Sequence, residues 1–208
     1  MIVPPEIAKR LAPRRFDRAA ALYAHPAQLG HVFPRLSEAG ARLLLVTPRV
    51  QPRLSALLHR RLGLAPFDIA AWQGDLALIA GLSAVDLDRA IRHAGAAVLT
   101  PRLRTIVLGA DIRRVTGLIG ADAYAFGLGH RGPFPTFDGL AGMPLETAID
   151  RAGILCLAAW SRAAGPAVAG RVRLRLAPDR WPEDGAHLAA ADAAALFVAA
   201  ARAVGAHG

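Results

Sequence analysis

The sequence predicts an all-α protein, a compact bundle of helical hairpins, and three observations support this fold class. Apolar residues make up 54% of the 208 residues, and much of that share is Ala, the residue that most favours helix. Apolar residues recur three and four positions apart in several segments, which is typical of helices with one buried face. Five prolines in the first 40 residues allow only short helices there. We therefore expect a Pro-rich N-terminal arm, residues 1–51, packed on a helical body, residues 52–208, in a single domain.

Within the arm, the pattern predicts one short helix from Phe16 to Tyr23, with both aromatic rings on the same face. Pro26 disfavours the helical conformation at the residue before it, so this helix must end near Ala24. The side chain of His25 is then expected to cap the last carbonyls of that helix. These residues predict a structural bracket that holds the arm in place.

Three helices of the body have clear boundaries. The segment from Pro52 to Gly63 turns its leucines inward and its basic residues outward, and Gly63 is a natural stop. The sequence from Ser83 to Asp86 resembles a capping box and starts the most amphipathic helix of the chain, which Gly95 is expected to interrupt. Pro144 begins a long helix that continues to about Ala164.

Further along the chain, a last helix is expected from Asp184 or Ala186 to Ala203. A second pattern repeats residues 86–95 at an offset of 25, as residues 111–120, and suggests two similar helical hairpins stacked side by side. Two copies are too few to indicate a solenoid, and chance similarity in an Ala- and Arg-rich sequence is an equal alternative.

Two segments are ambiguous between strand and helix. Residues 42–46 consist of Arg42 followed by four apolar residues, and residues 171–176 alternate strictly between basic and apolar. Alternation with period two favours a strand, whereas the helical context favours a helix end. One short strand pair therefore remains an alternative within the all-α prediction.

The formal net charge is +9, which bears on solubility and on encounter with partners. It fits a solvated surface, docking to an acidic protein, or binding to nucleic acid or anionic lipid. The arginines are spread along the chain, and no aromatic residues alternate with them as a base-stacking surface requires. Arg60, Arg61, Arg113 and Arg114 are the candidate protein-docking residues, because their helix patterns turn them toward solvent.

The sequence offers no arrangement suited to catalysis, cofactor binding or metal binding, and none is predicted. The seven histidines are scattered, no phosphate-binding loop is present, and the single cysteine, Cys156, lies in an apolar run typical of a buried position. An enzyme remains a third interpretation, and it would require a deep pocket with convergent polar groups. We expect neither a secretory signal in residues 1–9 nor a membrane span, since no apolar run reaches about 18 residues.

Three motifs together resemble the cytoplasmic accessory (K) proteins of bacterial type III secretion systems, the SctK/YscK-like family. The first is a family signature of structural residues, in which the family often has Asn and Ser where this chain has Asp17 and Ala27. The second is Leu54–Leu64, which resembles the next family helix, and the third is Leu103–Gly120, which resembles a family helix pair. The signature residues are Phe16, Tyr23, His25, Pro26 and Leu29.

This resemblance covers most of residues 16–181 and implies an all-helical, non-enzymatic adaptor without cofactors or catalytic residues. Such proteins belong to the sorting platform beneath the secretion apparatus, in the cytoplasm and peripheral to the inner membrane. The implied partners are the cytoplasmic domain of the inner-membrane ring protein and the cytoplasmic-ring pod protein. We expect a monomer in isolation. The competing interpretation is a basic helical nucleic-acid-binding protein.

Overall fold

The structure is a computed structural model that describes residues 13–182 and 190–206, and within these ranges it contains helices and turns but no β-strand. The prediction of an all-α fold is confirmed. Three single-turn 3₁₀ helices cover Ala20–Leu22, Ile69–Ala71 and Pro178–Arg180. The α-helices, numbered in chain order, are α1 Pro13–Arg18, α2 Pro26–Val32, α3 Glu38–Val46, α4 Gln51–Arg61, α5 Gly74–Gly81, α6 Ala84–Val98, α7 Thr100–Leu103, α8 Gly109–Ile119, α9 Ala121–Gly129, α10 Leu145–Ala163, α11 Pro166–Leu174 and α12 Ala190–Gly205.

Both ambiguous segments are helical. Residues 42–46 form the second half of α3, and residues 171–174 end α11, followed by a turn at Arg175 and Leu176. The alternation in the second segment reflects burial on a helix end: Arg171 and Arg175, four positions apart, are both buried, whereas Arg173 between them is exposed.

The chain divides into two compact units. The first comprises Met1–Ala84 and Ala164–Trp181, and the second comprises Val85–Ala163 and Pro182–Gly208. The organisation of residues 1–208 as a single domain stays a prediction.

In the first unit, small N-terminal residues pack against leucines of α4 and α11. Ser55 on α4 adds a buried hydrogen bond, since its Oγ accepts from the backbone N–H of Ala21 at 3.1 Å. A residue of the predicted arm is therefore tied to α4 by a buried polar contact as well as by apolar burial. The core cluster consists of Ala20, Ala21, Ala24, Leu29, Ala41, Leu54, Leu58 and Leu174.

The prediction of one helix from Phe16 to Tyr23 is wrong, because α1 ends at Arg18 and a 3₁₀ turn follows. A continuing helix would use the carbonyl of Phe16 for the N–H four residues later. Here that carbonyl accepts from the Tyr23 hydroxyl at 2.8 Å and from Nε of Arg171 at 3.2 Å. The carbonyl that would accept the next helical hydrogen bond is therefore already bonded to two side chains, and the helix ends.

In the second unit, α6 and α10 approach each other through two glycines. A Cβ on Gly95 would lie 1.8 Å from the carbonyl oxygen of Ile149, and a Cβ on Gly153 would lie 2.0 Å from that of Ile91. The expectation that Gly95 interrupts its helix is wrong, since α6 runs through it to Val98. This glycine serves close backbone packing.

The two copies of the proposed repeat begin alike and end differently. Helices α6 and α8 start 25 residues apart, at Ala84 and Gly109. However, Gly120 has φ of 95° between α8 and α9, while its counterpart Gly95 lies inside a helix. The 25-residue repeat therefore corresponds only to the similar starts of two helices, and the predicted pair of equivalent hairpins is not formed.

The long helix predicted from Pro144 to about Ala164 is confirmed as α10, which is buried along most of its length and packs against α12. The rings of Trp160 and Phe197 join them, with centroids 6.4 Å apart. The last helix ends at Gly205, and its predicted start at residues 184–186 lies outside the described residues. Residues 1–9, for which no secretory signal is predicted, also lie outside them.

Candidate docking site

Two of the signature residues, Phe16 and Tyr23, belong to a cluster of aromatic rings centred on the buried ring of Phe16. It stacks on Tyr23 at 5.6 Å between ring centroids and meets Phe67 and Trp72 edge-on at 5.3 and 5.2 Å. Aromatic pairs at such distances stabilise a fold beyond the area that they bury. The ring cluster joins α1 to the segment before α5.

Arg171 of α11 lies beside this cluster, only 1% exposed. Its guanidinium donates to the carboxylate of Asp17 at 2.9 Å and to the carbonyls of Ala65 and Ala167 at 2.8 and 2.9 Å, in addition to that of Phe16. A buried cation is tolerated only when it is paired and hydrogen-bonded, and Arg171 meets both conditions. It therefore joins α1, the loop after α4 and its own helix.

The C-terminal end of α11 is closed by groups from the N-terminal segment. The last carbonyls of a helix lack partners within it. The carbonyl of Leu174 accepts from the backbone N–H of His25 at 2.9 Å, and those of Arg173 and Leu176 accept from Nε2 of Gln28 at 3.2 and 2.8 Å. The segment around Pro26 thus caps a helix that lies almost 150 residues later in the chain.

His25 has a different local role from the one predicted. Its backbone is extended, with φ of −67° and ψ of 138°, as Pro26 requires. However, its Nδ1 accepts from the N–H of Ala27 at 3.2 Å, so the side chain caps the start of α2 and not the end of the preceding helix. Pro26 occupies the first position of α2, where its fixed φ and missing N–H are favourable.

Burial controls the ionisation of the groups near Arg171. It raises the pKa of Tyr23 well above its usual range, against the lowering effect of the nearby Arg171 and Arg175 charges. It also lowers the pKa of His59, and the charge of Arg171 adds to that effect. Both side chains are therefore held neutral at physiological pH.

The four candidate docking arginines are exposed. Arg60 and Arg61 lie in the last turn of α4, where the helix dipole favours cations. Arg113 and Arg114 lie on α8, and the only ion pair that involves any of the four within the described residues is Arg114 with Asp111, at 3.8 Å. Their role in docking stays a prediction.

Arg114 also lines a groove of about 410 Å³ between the loop before α8, α8 itself and the start of α10, together with the carboxylates Asp111 and Glu146. Val107, Leu108 and Leu118 line the same groove and are 79%, 65% and 50% exposed. The groove therefore combines exposed apolar side chains with charges of both signs.

The single cysteine of the chain lies in the interior. Cys156 is fully buried, and burial raises the pKa of its thiol to about 12, so the nucleophilic thiolate is suppressed. Within residues 13–182 and 190–206, no three His, Cys, Asp or Glu side chains are grouped so as to hold a metal ion. No helix among these residues is long and apolar enough to cross a membrane.

Sequence reasoning missed the structural importance of Arg171, Arg175 and Gln28. Arg175 is buried and donates to the carbonyls of Ala80 and Leu82, which close the end of α5. The spacing of four between the two arginines would have placed them on one helix face, had the segment been interpreted as helix. Gln28 has no comparable signal, because its acceptors are distant in sequence.

Comparison with known proteins places these features in a family. The family model described as "YOP proteins translocation protein K (YscK)" matches residues 10–204. The chain is also 34% identical over 161 residues to nodulation protein NolU of Rhizobium fredii, covering 73% of this chain and 69% of the relative. The same figures hold for NolU of Sinorhizobium fredii strain NBRC 101917 / NGR234. No solved structure matches the chain at a significant level.

Proposed function

Because this chain belongs to the YscK family of type III secretion proteins, we propose that it is a non-enzymatic cytoplasmic adaptor of the secretion apparatus. In this role it links the inner-membrane ring to the sorting platform. Its partners are the cytoplasmic domain of the inner-membrane ring protein and the pod protein, and it meets them as a monomer at the base of the apparatus.

The observation that carries the proposal is the family match, which extends over residues 10–204 and therefore over both compact units. The relatives named nodulation protein NolU support it over a large part of the chain. An adaptor needs well-defined surfaces for its partners. The buried contacts of Arg171 hold the segments of the first unit together and so support such surfaces there.

Exposed arginines are the proposed means of encounter with acidic partner surfaces. Complementary charge raises association rates and selects partners more than it adds affinity. Arg60 and Arg61 offer such a pair on the first unit, and Arg113 and Arg114 offer one on the second.

The test is a binding experiment with the purified pod protein and the purified ring-protein cytoplasmic domain. We expect the wild-type chain to bind both. The variants R60E/R61E and R113E/R114E should each slow association with one partner about tenfold or more at low salt. The control R49E/R162E reverses two other exposed arginines, one in each unit, and should leave both association rates close to wild type.

Failure of the wild-type chain to bind either partner would contradict the adaptor role. Binding that is unchanged in both charge-reversal variants would remove the four arginines from the contact surfaces and leave the adaptor role in place.

A further inference from the structure

The first unit contains an apolar groove that the core does not fill. It lies between the end of α2, α3 and α4, has a volume of about 480 Å³, and falls in the size range of ligand-binding clefts. Its apolar lining residues are Phe33, Leu36, Leu44, Val50, Leu54 and Leu57.

The charged residues that line this groove are both cations. Arg35 precedes α3 and Arg53 lies in the first turn of α4, and no carboxylate lines the groove. Within the described part of the chain, neither arginine has an ion-pair partner. A cation at the edge of an apolar surface interacts more strongly with a carboxylate than it would in bulk water.

The helix that forms one wall of the groove exposes further apolar surface. Leu43 and Val46 of α3 lie one turn apart and are 65% and 72% exposed. Neither side chain lines the groove, to which α3 contributes Leu44, so the two add exposed apolar surface to α3 itself.

We propose that this groove binds an apolar helical segment of a partner protein, flanked by Asp or Glu residues that meet Arg35 and Arg53. Helices dock in apolar grooves through residues three and four positions apart, and the charges at the rim select the partner. The apolar lining disfavours a polar ligand, and the two unpaired arginines disfavour a basic or uncharged segment. This inference rests on the proposed adaptor function and deepens it by naming a contact surface.

One experiment tests the chemistry without using either partner. Two fluorescent peptides carry the same helical pattern of leucines, one flanked by glutamates and the other by lysines. By fluorescence anisotropy, the full chain should bind the Glu-flanked peptide at least about tenfold more tightly than the Lys-flanked one. R35E/R53E should abolish or reverse that preference, while the control R49E/R162E should keep it.

A second experiment uses the pod protein and the ring-protein domain with the same variants and with L57E, which places a charge in the groove. Circular dichroism should show that R35E/R53E, which changes only surface residues, keeps the helical content of the wild-type chain. We expect R35E/R53E to weaken binding of one partner about tenfold or more and leave the other unchanged.

Several outcomes would overturn the inference. Equal binding of both peptides, or binding of neither, would show that the groove does not select acid-flanked helices. A concentration-dependent dimer in sedimentation velocity that L57E dissociates would assign the groove to a second copy. Loss of binding to anionic phospholipid vesicles in R35E/R53E, without a peptide preference, would assign it to a membrane surface. If the wild-type chain binds both partners and R35E/R53E alters neither interaction, the proposed groove interaction is wrong and the adaptor function stands. If the wild-type chain binds neither partner, the adaptor function is wrong, and the peptide experiment alone tests the proposed groove interaction.

Discussion

Arg171 holds its buried position because its donor nitrogens have acceptors on three different segments of the first unit. The planar guanidinium directs its donors in fixed directions, and a lysine could not reach the same set. Removing the side chain would take the guanidinium away from Asp17 and from the carbonyls of Ala65 and Ala167. Leaving half of a buried charged network unpaired is among the most destabilising of single changes.

We therefore expect R171M to reduce the free energy of unfolding by about 3 to 5 kcal/mol. The matched control is R173M, which removes an exposed arginine from the same helix and should change it by less than about 0.5 kcal/mol. Urea unfolding followed by circular dichroism measures both. Equal effects of the two variants would contradict a structural role for Arg171.

Tyr23 should make stability depend on pH in the alkaline range. Because burial raises its folded pKa above the unfolded value of about 10, the native state retains a proton that the unfolded chain releases. The contribution is fully present below pH 10 and is lost as the pH rises beyond it.

The variant Y23F removes both the ionisation and the hydrogen bond to the Phe16 carbonyl, and it should cost about 1 kcal/mol at pH 7. The difference between Y23F and the wild-type chain should shrink when unfolding is measured at pH 11, since only the wild type is weakened by ionisation of this phenol. A constant difference between pH 7 and pH 11 would show that the Tyr23 hydroxyl is not shielded from solvent.

At the scale of helices, the contact between α6 and α10 depends on the absence of two side chains. Gly95 and Gly153 each allow the opposite backbone to approach within a distance that no Cβ permits. The buried faces of both helices, which include Ile91 and Ile149, pack at this crossing. A second connection in the same unit is the ion pair of Arg89 with Asp122, 3.0 Å apart, which joins α6 to α9.

Burial raises the pKa of Asp122, but the hydrogen bond from Arg89, the N–H of Ala123 and the charges of His93 and Arg89 outweigh that effect and lower it overall. The carboxylate is therefore ionised at neutral pH, and the ion pair persists until the pH falls below the usual titration range of an aspartate. Because this ion pair is partly exposed, we expect it to contribute less to the stability of the unit than the helix crossing at Gly95 and Gly153 does.

We expect G95A and G153A each to destabilise the chain by at least about 3 kcal/mol, because the added methyl forces the two helices apart. The gain in helix propensity of about 1 kcal/mol cannot offset this. The control is G117A in α8, where a Cβ would meet nothing within 4 Å and should stabilise by about 0.5 to 1 kcal/mol. Thermal unfolding of the three variants measures the contrast, and a stabilising G95A would disprove the close crossing.

At the scale of the whole molecule, the net charge of +9 overstates the cationic surface available to a polyanion. Arg171 and Arg175 are buried, and Arg102 donates to the carbonyls of Leu140 and Met143. Within the described ranges, exposed arginines occur in both units, and no aromatic residues alternate with them along the sequence as a base-stacking surface requires. This distribution favours protein docking over the nucleic-acid alternative.

We therefore expect no retention of a short DNA or RNA duplex by the full chain at about 150 mM salt, where non-specific phosphate binding is weak. Electrophoretic mobility shift at several salt concentrations is the measurement. Retention with a steep logarithmic salt dependence would indicate several phosphate contacts and would support the competing interpretation.

Local patterns were enough to predict much of the helical framework. The segment from Pro52 to Gly63, the start after Ser83 and the helix after Pro144 were all located from spacing, caps and prolines, and all are present. These signals act over a few residues, within the range of a helix turn, so that the sequence alone carries them. The sequence also predicted that Phe16 and Tyr23 share one face and hold the N-terminal arm in place.

Long-range contacts decided the rest. Gly95 continues its helix because the backbone of Ile149 packs directly against it. Residues 171–174 form helix because Arg171 and Arg175 are buried on the same side. His25 caps the helix that follows it, and its backbone N–H is held by the carbonyl of Leu174. In each case the competing local conformations are close in energy, and a partner far along the chain selects one of them. Periodicity and motifs are local, and they were sufficient to predict the fold class and the family. Burial depends on what packs against each side chain, so the buried Arg171 and Arg175 could be distinguished from the exposed arginines only once the helices were packed.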